Sequence, residues 1–304
     1  MTRIETDILI IGVGSGGFGA LYNALTFGDK KIKITAIDKN PDMGGTSTYA
    51  GVCVWEPGIG GPGVHYKLAD LLLVDRQNGF VSKGMNTVTE QVRWGSSGPC
   101  DDEYESTLNR SLGKLLGRVR RFSFKPDAMV EAMHKLVNGF DNFKFLPNVE
   151  YISSVQKSGR ITAVLAENIM TGEEYEIVPK LVVDASADIV AARSSGCSYA
   201  FGEDSMEIHN EPNAPTNESQ TINGVTQMFT VVPCDEGYIQ EIPEDLKDVD
   251  VTAWLENVRK TNLPLSCFYY YMDNTISVNM LPTIEGIDFI SLGNDNAQKV
   301  CKDR

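Results

Sequence analysis

Between residues 8 and 28 an apolar run, a burst of glycines and an amphipathic stretch follow one another, and this succession narrows the possible folds more than any other feature. Ile8-Leu9-Ile10-Ile11 is short and continuously apolar, as expected of a strand buried on both faces of a parallel sheet. Phe18, Leu21, Tyr22 and Leu25 then fall at i, i+3, i+4 and i+7, which predicts a helix with one apolar stripe. Gly28 suits a left-handed residue closing that helix. Lys31 to Ile37 alternates into a second strand, with Ile32, Ile34 and Ala36 on one face. Together these form a βαβ unit.

The loop inside this unit, Gly12-Val13-Gly14-Ser15-Gly16-Gly17, fits G-x-G-x-x-G. Gly12 permits a tight turn off the strand. Gly14 lets backbone approach a pyrophosphate with no Cβ in the way, and Gly17 lets the helix pack close to the strand. Ser15 and Gly16 sit where the helix begins, and its free N–H groups and partial positive charge favour phosphate. The second strand ends in Asp38, whose carboxylate can accept hydrogen bonds from both hydroxyls of an adenosine ribose and disfavours a 2′-phosphate. On these residues alone, NAD and FAD both remain open.

The 304 residues carry a formal net charge of −14, which repels nucleic-acid phosphates and anionic membranes and leaves a small molecule as the expected partner. The six cysteines are scattered with no C-x-x-C pair, which predicts free thiols in a reducing cytoplasm rather than disulfides or a zinc site. No basic-then-apolar leader opens the sequence, and no run of about 18 apolar residues suggests a membrane helix. No metal-ligand or Ser-His-Asp spacing occurs, and no metal is expected.

The next segment, Asp38-Lys39-Asn40-Pro41-Asp42-Met43-Gly44-Gly45-Thr46-Ser47, resembles the extended signature of the FAD-dependent oxidoreductases of the glutathione-reductase-like superfamily. In that signature a residue following the ribose-binding acid, here Lys39, leads to a Gly-Gly that passes beneath the pyrophosphate and ribityl chain. Gly44, Gly45, Thr46 and Ser47 stand at those positions. The run Gly51-Val52-Cys53-Val54-Trp55-Glu56-Pro57-Gly58 resembles that of a bacterial group within the family. Phe124 to Ala128 is similar to the entry of the family's second FAD-domain helix. Val149 to Val155 resembles the strand whose backbone meets adenine, which assigns that contact to Val155. Leu181 to Asp188 resembles the second fingerprint, ending here in Ser186-Ala187-Asp188, with Asp188 implied in cofactor binding.

The resemblance implies an α/β fold: a Rossmann-like FAD/NAD(P)-binding domain with a parallel sheet and a β-hairpin or three-stranded crossover, plus a second α+β substrate domain. The first domain is expected from residues 1–80 and 126–204, the second from 81–125 and 205–304. Short strands are expected at Val149–Val155, Ile161–Glu167, Tyr175–Val178 and Leu181–Asp184, and a hairpin turning at Asp273-Asn274. The late glycine motif that covers the ribityl chain in such proteins has no counterpart after Tyr199, so the resemblance implies a C-terminally truncated member with an incomplete second domain. The implied activity is FAD-dependent oxidation of a small organic substrate held between the domains. A NAD-binding protein and a nonredox nucleotide-binding remnant are the alternatives.

No catalytic residue stands out. Cys53 and Trp55 follow the Gly-Gly pair; a packed thiol and a core aromatic are the plainer readings of each. His65 lies beside the glycine-rich loop, whereas His134 and His209 read as hydrogen-bonded or surface histidines. Arg120-Arg121 could meet an acidic substrate or simply solvent.

Overall fold

The computed structural model describes residues 1–55, 63–85, 94–99, 120–238, 241, 244, 247, 252, 256, 266–280 and 284–302. Most of the Gly51–Gly58 run after Trp55, and Cys100, lie outside them. The chain divides into two compact units: Met1–Val54, Gly60–Phe80 and Phe124–Tyr199 form one, and Trp55–Ile59, Val81–Ser123 and Ala200–Arg304 the other.

The first unit opens with β1 (Thr2–Ile11), α1 (Ser15–Phe27) and β2 (Ile34–Asp38). A two-residue strand, β3 (Val54–Trp55), precedes α2 (Val64–Leu73). Next come β4 (Gly79–Met85), β5 (Trp94–Pro99) and β6 (Arg120–Phe124). Then α3 (Pro126–Val137), β7 (Phe143–Pro147), β8 (Val149–Lys157), β9 (Arg160–Asn168), β10 (Glu174–Asp184) and α4 (Val190–Ser194) return to the first unit. Its six-stranded sheet has the order β7-β2-β1-β10-β9-β8. β7, β2, β1 and β10 run parallel, while β10, β9 and β8 form an antiparallel meander. The fold is thus α/β, a parallel Rossmann-like sheet carrying a three-stranded crossover.

Burial explains why these strands form. Leu9, Ile10, Ile34, Ala36 and Ile37 are all at most 1% exposed, so the C-terminal end of β1 and the whole of β2 are covered on both faces. Each large aliphatic side chain so buried contributes roughly 1.5–3 kcal/mol. The one-sided alternation expected for the second strand is therefore wrong: all five residues of β2 are buried, and the strand begins at Ile34 rather than Lys31. Phe18, Leu21, Tyr22 and Leu25 are buried along α1, as their spacing predicts. The two strands expected at Tyr175–Val178 and Leu181–Asp184 are one, running through Pro179. Pairing with β9 ends at Ile177, so proline's missing N–H falls beyond the last rung on that side.

Gly28 also differs from expectation. Its φ is −74°, not left-handed, but a Cβ there would lie 2.3 Å from the Ala24 carbonyl oxygen. Glycine is required for space, not for handedness.

The second unit holds a sheet of order β11-β13-β12-β5-β4-β6-β3, with β11 (Met228–Val231), β12 (Ser266–Tyr270) and β13 (Ile276–Met280). β12 and β13 form the hairpin, with Asn274 at φ 64° in its turn. No helix among the described residues is long and apolar enough to cross a membrane.

Gly19, inside α1, provides a contrast with Gly28 because a Cβ there would meet nothing within 4 Å. Gly19→Ala should raise stability by about 0.5–1 kcal/mol through a stiffer unfolded chain and better helix propensity. Gly28→Ala should lower it by about 1–3 kcal/mol because backbone must shift. Thermal melting of the two variants should move in opposite directions.

Candidate functional site

The parallel strands end together. Ile11 is paired with Ile37 and with Asp184, and Asp38 with Pro147, so four strand ends line up along one edge. Ligands of open α/β sheets bind outside that carboxyl edge. A cavity of about 670 Å³ lies there, within the usual range for small-molecule sites. It is lined by Gly12, Gly14, Ser15 and Gly16 from the first loop, Asp38, Lys39 and Asn40 from the end of β2, Gly45 and Thr46 from the second glycine pair, and Ser186, Ala187 and Asp188 after β10.

The first loop is held by backbone and by one carboxylate. Gly12 N–H donates to the Ile37 carbonyl at 2.9 Å, and Val13 N–H donates to Asp38 Oδ2 at 2.7 Å. Gly12 has φ 85°, and a Cβ on it would come within 2.9 Å of Ala185 backbone. A Cβ on Gly17 would sit 1.9 Å from the Gly12 carbonyl oxygen. Gly17 does not line the cavity; it is the residue that lets α1 start so near β1. Gly14 and Gly16 differ, since a Cβ on Gly14 would meet nothing nearer than 3.9 Å and one on Gly16 nothing at all. Among the described residues no side chain caps the N-terminus of α1, and no acidic residue occupies its first turn. Its first N–H groups and positive dipole end therefore remain open beside the cavity.

The second glycine pair nests against the first loop. Gly44 N–H donates to the Val13 carbonyl at 2.8 Å, and a Cβ on Gly45 would come 3.0 Å from Gly14 Cα. Both glycines have positive φ, 111° and 50°. Gly44 and Ser47 support this turn without lining the cavity, Ser47 being buried. Just ahead of it Asp42 Oδ1 accepts from Met43 N–H at 2.8 Å and lies 2.7 Å from His134 Nε2. His134 thus belongs to the packing of α3 against this turn. Tyr49 also lines the cavity; burial first, then the charges of Asp42, Asp127 and Asp38, push its phenol above the usual tyrosine range.

The third segment is organised by Asp184, which the sequence reading did not single out. Its Oδ1 accepts from Ser186 N–H (3.1 Å) and Ser186 Oγ–H (2.6 Å), and its Oδ2 from Ala191 and Ala192 N–H at 2.8 and 2.9 Å. Val190 N–H donates to Ser186 Oγ at 3.0 Å. The N-terminus of α4 is consequently closed by its own chain, unlike that of α1. A carboxylate a few residues ahead of a helix was the available signal.

Val155 is not brought to the cavity. It is 47% exposed and pairs with Ala163, while Val149, Glu150 and Tyr151, at the start of β8, line the wall instead. The reason is the turn at Asn148, which starts β8 directly beside the end of β2; by Val155 the strand has run well past it. Tyr151 Oη lies 2.8 Å from Ser154 Oγ and 2.5 Å from Ser194 Oγ, which fixes its ring.

The other candidates lie apart from the cavity lining. Cys53 is buried, and its carbonyl accepts Phe124 N–H. Trp55 packs on Phe122 at 5.8 Å between ring centroids. His65 meets Tyr66 edge-on at 5.2 Å, and burial lowers its pKa. His209 lies 3.0 Å from Asp204 on the surface.

Asp184→Asn keeps the side chain's shape but turns an amide NH2 toward N–H donors. It should cost about 2 kcal/mol, read as a lower urea midpoint, because several hydrogen bonds to a charged acceptor are lost.

No protein of curated function matches the sequence. Solved structures resembling the chain include a geranylgeranyl bacteriochlorophyll reductase-like protein from Thermoplasma acidophilum (12% identity, 99% of this chain and 61% of that one, TM-score 0.47). A p-nitrophenol 4-monooxygenase from Pseudomonas putida DLL-E4 is 10% identical over 96% of this chain and 62% of that one, with TM-score 0.46. A glycerol-3-phosphate dehydrogenase from Bacillus halodurans complexed with FAD is 12% identical over 96% of this chain and 49% of that one, with TM-score 0.45. The chain thus spans 61% of the first of these structures' length. A sequence profile of the FAD dependent oxidoreductases matches residues 7–285, well over half of the chain. The chain belongs to the FAD dependent oxidoreductase family, whose cofactor is FAD.

Proposed function

We propose that this chain holds FAD noncovalently in the cavity beside α1 and that the holoprotein oxidises a small organic substrate. The observation that carries this reading is the open N-terminus of α1, presented to a cavity of about 670 Å³ across Gly14 and Gly16, where no β-carbon intrudes. A pyrophosphate needs that combination of unpaired N–H groups, dipole and bare backbone. Gly12, Gly14, Ser15, Gly16 and Gly17 form its cradle. Asp38 takes the adenosine ribose with Lys39 beside it, and Val149 to Tyr151 take the adenine in place of Val155. Gly44, Gly45, Thr46 and Ser47 run under the other half of the cofactor, and Asp188 faces it from the third segment.

The flavin supplies the redox chemistry, so the protein need only bind, orient and exclude. Residues 1–80 and 126–204 serve as the cofactor domain, and residues 81–125 and 205–304 as the substrate domain. The free thiols Cys197 and Cys234 fit a reducing cytoplasm, and the charge of −14 argues against a nucleic-acid partner.

The purified chain should carry visible flavin absorbance or regain it on adding FAD; a colourless chain that FAD does not titrate overturns the reading. Gly14→Ala provides the site-specific test. A Cβ fits the protein there, so melting should stay near wild type, while FAD affinity should fall at least about tenfold as the methyl displaces the phosphates. Unchanged affinity would remove the pyrophosphate from this loop.

A further inference from the structure

Asp38 is already occupied by its own chain. Oδ2 accepts Val13 N–H at 2.7 Å, and Oδ1 accepts both the backbone N–H of Asn40 (2.9 Å) and its side-chain amide Nδ2 (3.0 Å). A carboxylate offers about four lone-pair sites, so three are taken. Only the Asn40 NH2 can face Oδ1, because its carbonyl would set oxygen against oxygen. Asp38 is 6% exposed, so that bond forms in a partly desolvated place, where hydrogen bonds to a charge are strong and orient well.

Asn40 does more than brace Asp38. Its backbone carbonyl accepts Asn148 N–H at 3.0 Å. Asn148 is left-handed, φ 56°, and is the turn residue that sets Val149 to Tyr151 into the cavity wall. One residue therefore joins the carboxylate at the end of β2 to the strand start across from it, and Asn40 itself lines the cavity.

We infer that Asn40 is the positioning residue of the adenosine half-site, its side-chain amide holding the Asp38 carboxylate so that the remaining lone pair of Oδ2 reads one ribose hydroxyl. This rests on the FAD reading of the cavity. Asp38 has capacity for one further donor, so the ribose is recognised through a single bond to a fixed carboxylate rather than through a free carboxylate gripping both hydroxyls.

The test compares ADP with 2′,3′-dideoxy-ADP by calorimetry on the full-length, flavin-free chain, with melting of each variant recorded alongside. Wild type should prefer ADP by at least about tenfold, the value of one hydrogen bond to a charged acceptor. Asn40→Ala should reduce that preference to about threefold or less. Asn40→Asp, which cannot donate and sets a second carboxylate beside the first, should abolish it. A purely structural role for Asn40 would weaken both nucleotides alike and leave the ratio unchanged, and that result in either folded variant overturns the inference. Wild type binding both nucleotides equally also overturns it. Wild type binding neither removes the FAD reading itself, and the inference with it.

Discussion

Between the end of β1 and the first turn of α1 the chain leaves no room for a β-carbon: the Gly12 carbonyl oxygen occupies the place where a side chain on Gly17 would begin. This backbone-on-backbone closeness sets the position of the helix N-terminus, and the cavity is defined by that position. Two further approaches depend on it. A Cβ on Gly45 would come within 3.0 Å of Gly14 Cα on one side, and one on Gly12 within 2.9 Å of Ala185 backbone on the other. Three loops distant in sequence thus meet without side chains between them, and the space left over is the site.

The charge distribution in the cavity wall follows the same division. Asp38, Glu150 and Asp188 line it against one lysine, Lys39, in a chain that is strongly acidic overall. A pyrophosphate held by side chains would be repelled by such a wall. Held by the α1 dipole and bare N–H groups it is not, because that attraction acts within the first turn and needs no cationic residue. The carboxylates are then suited to hydroxyls, which donate to them.

How far the sequence could be read depended on whether a feature was local. The glycine loop was legible because its G-x-G-x-x-G spacing directly follows an apolar strand run, and the stripe of Phe18, Leu21, Tyr22 and Leu25 was legible because it needs only helical spacing. Gly28 was legible as necessary but not for its reason, since φ and crowding leave the same residue in the sequence. Val155 was assigned by resemblance to a whole strand, which does not say which end of it reaches the cavity; the turn at Asn148 puts Val149 to Tyr151 there instead. Asn40 was silent for a similar reason. A polar residue after a strand is ordinary, and its two bonds to Asp38 become visible only once the side chain is placed.

The two helix N-termini that approach the cavity make the strongest case for where an anion would sit. α4 is the nearer match to a sequence-based expectation of capping: Asp184 and Ser186 take up the N–H groups of Val190, Ala191 and Ala192. An anion arriving at the α4 N-terminus would meet the Asp184 carboxylate, which already accepts the Ala191 and Ala192 N–H groups. α1 has neither acid nor cap in its first turn, and its approach is cleared by Gly14 and Gly16. Uncapped helix ends carry a cost of unsatisfied donors unless water or a ligand meets them. The chain closes one end and leaves the other open on the side of the cavity, the asymmetry that the proposed phosphate site at α1 would explain.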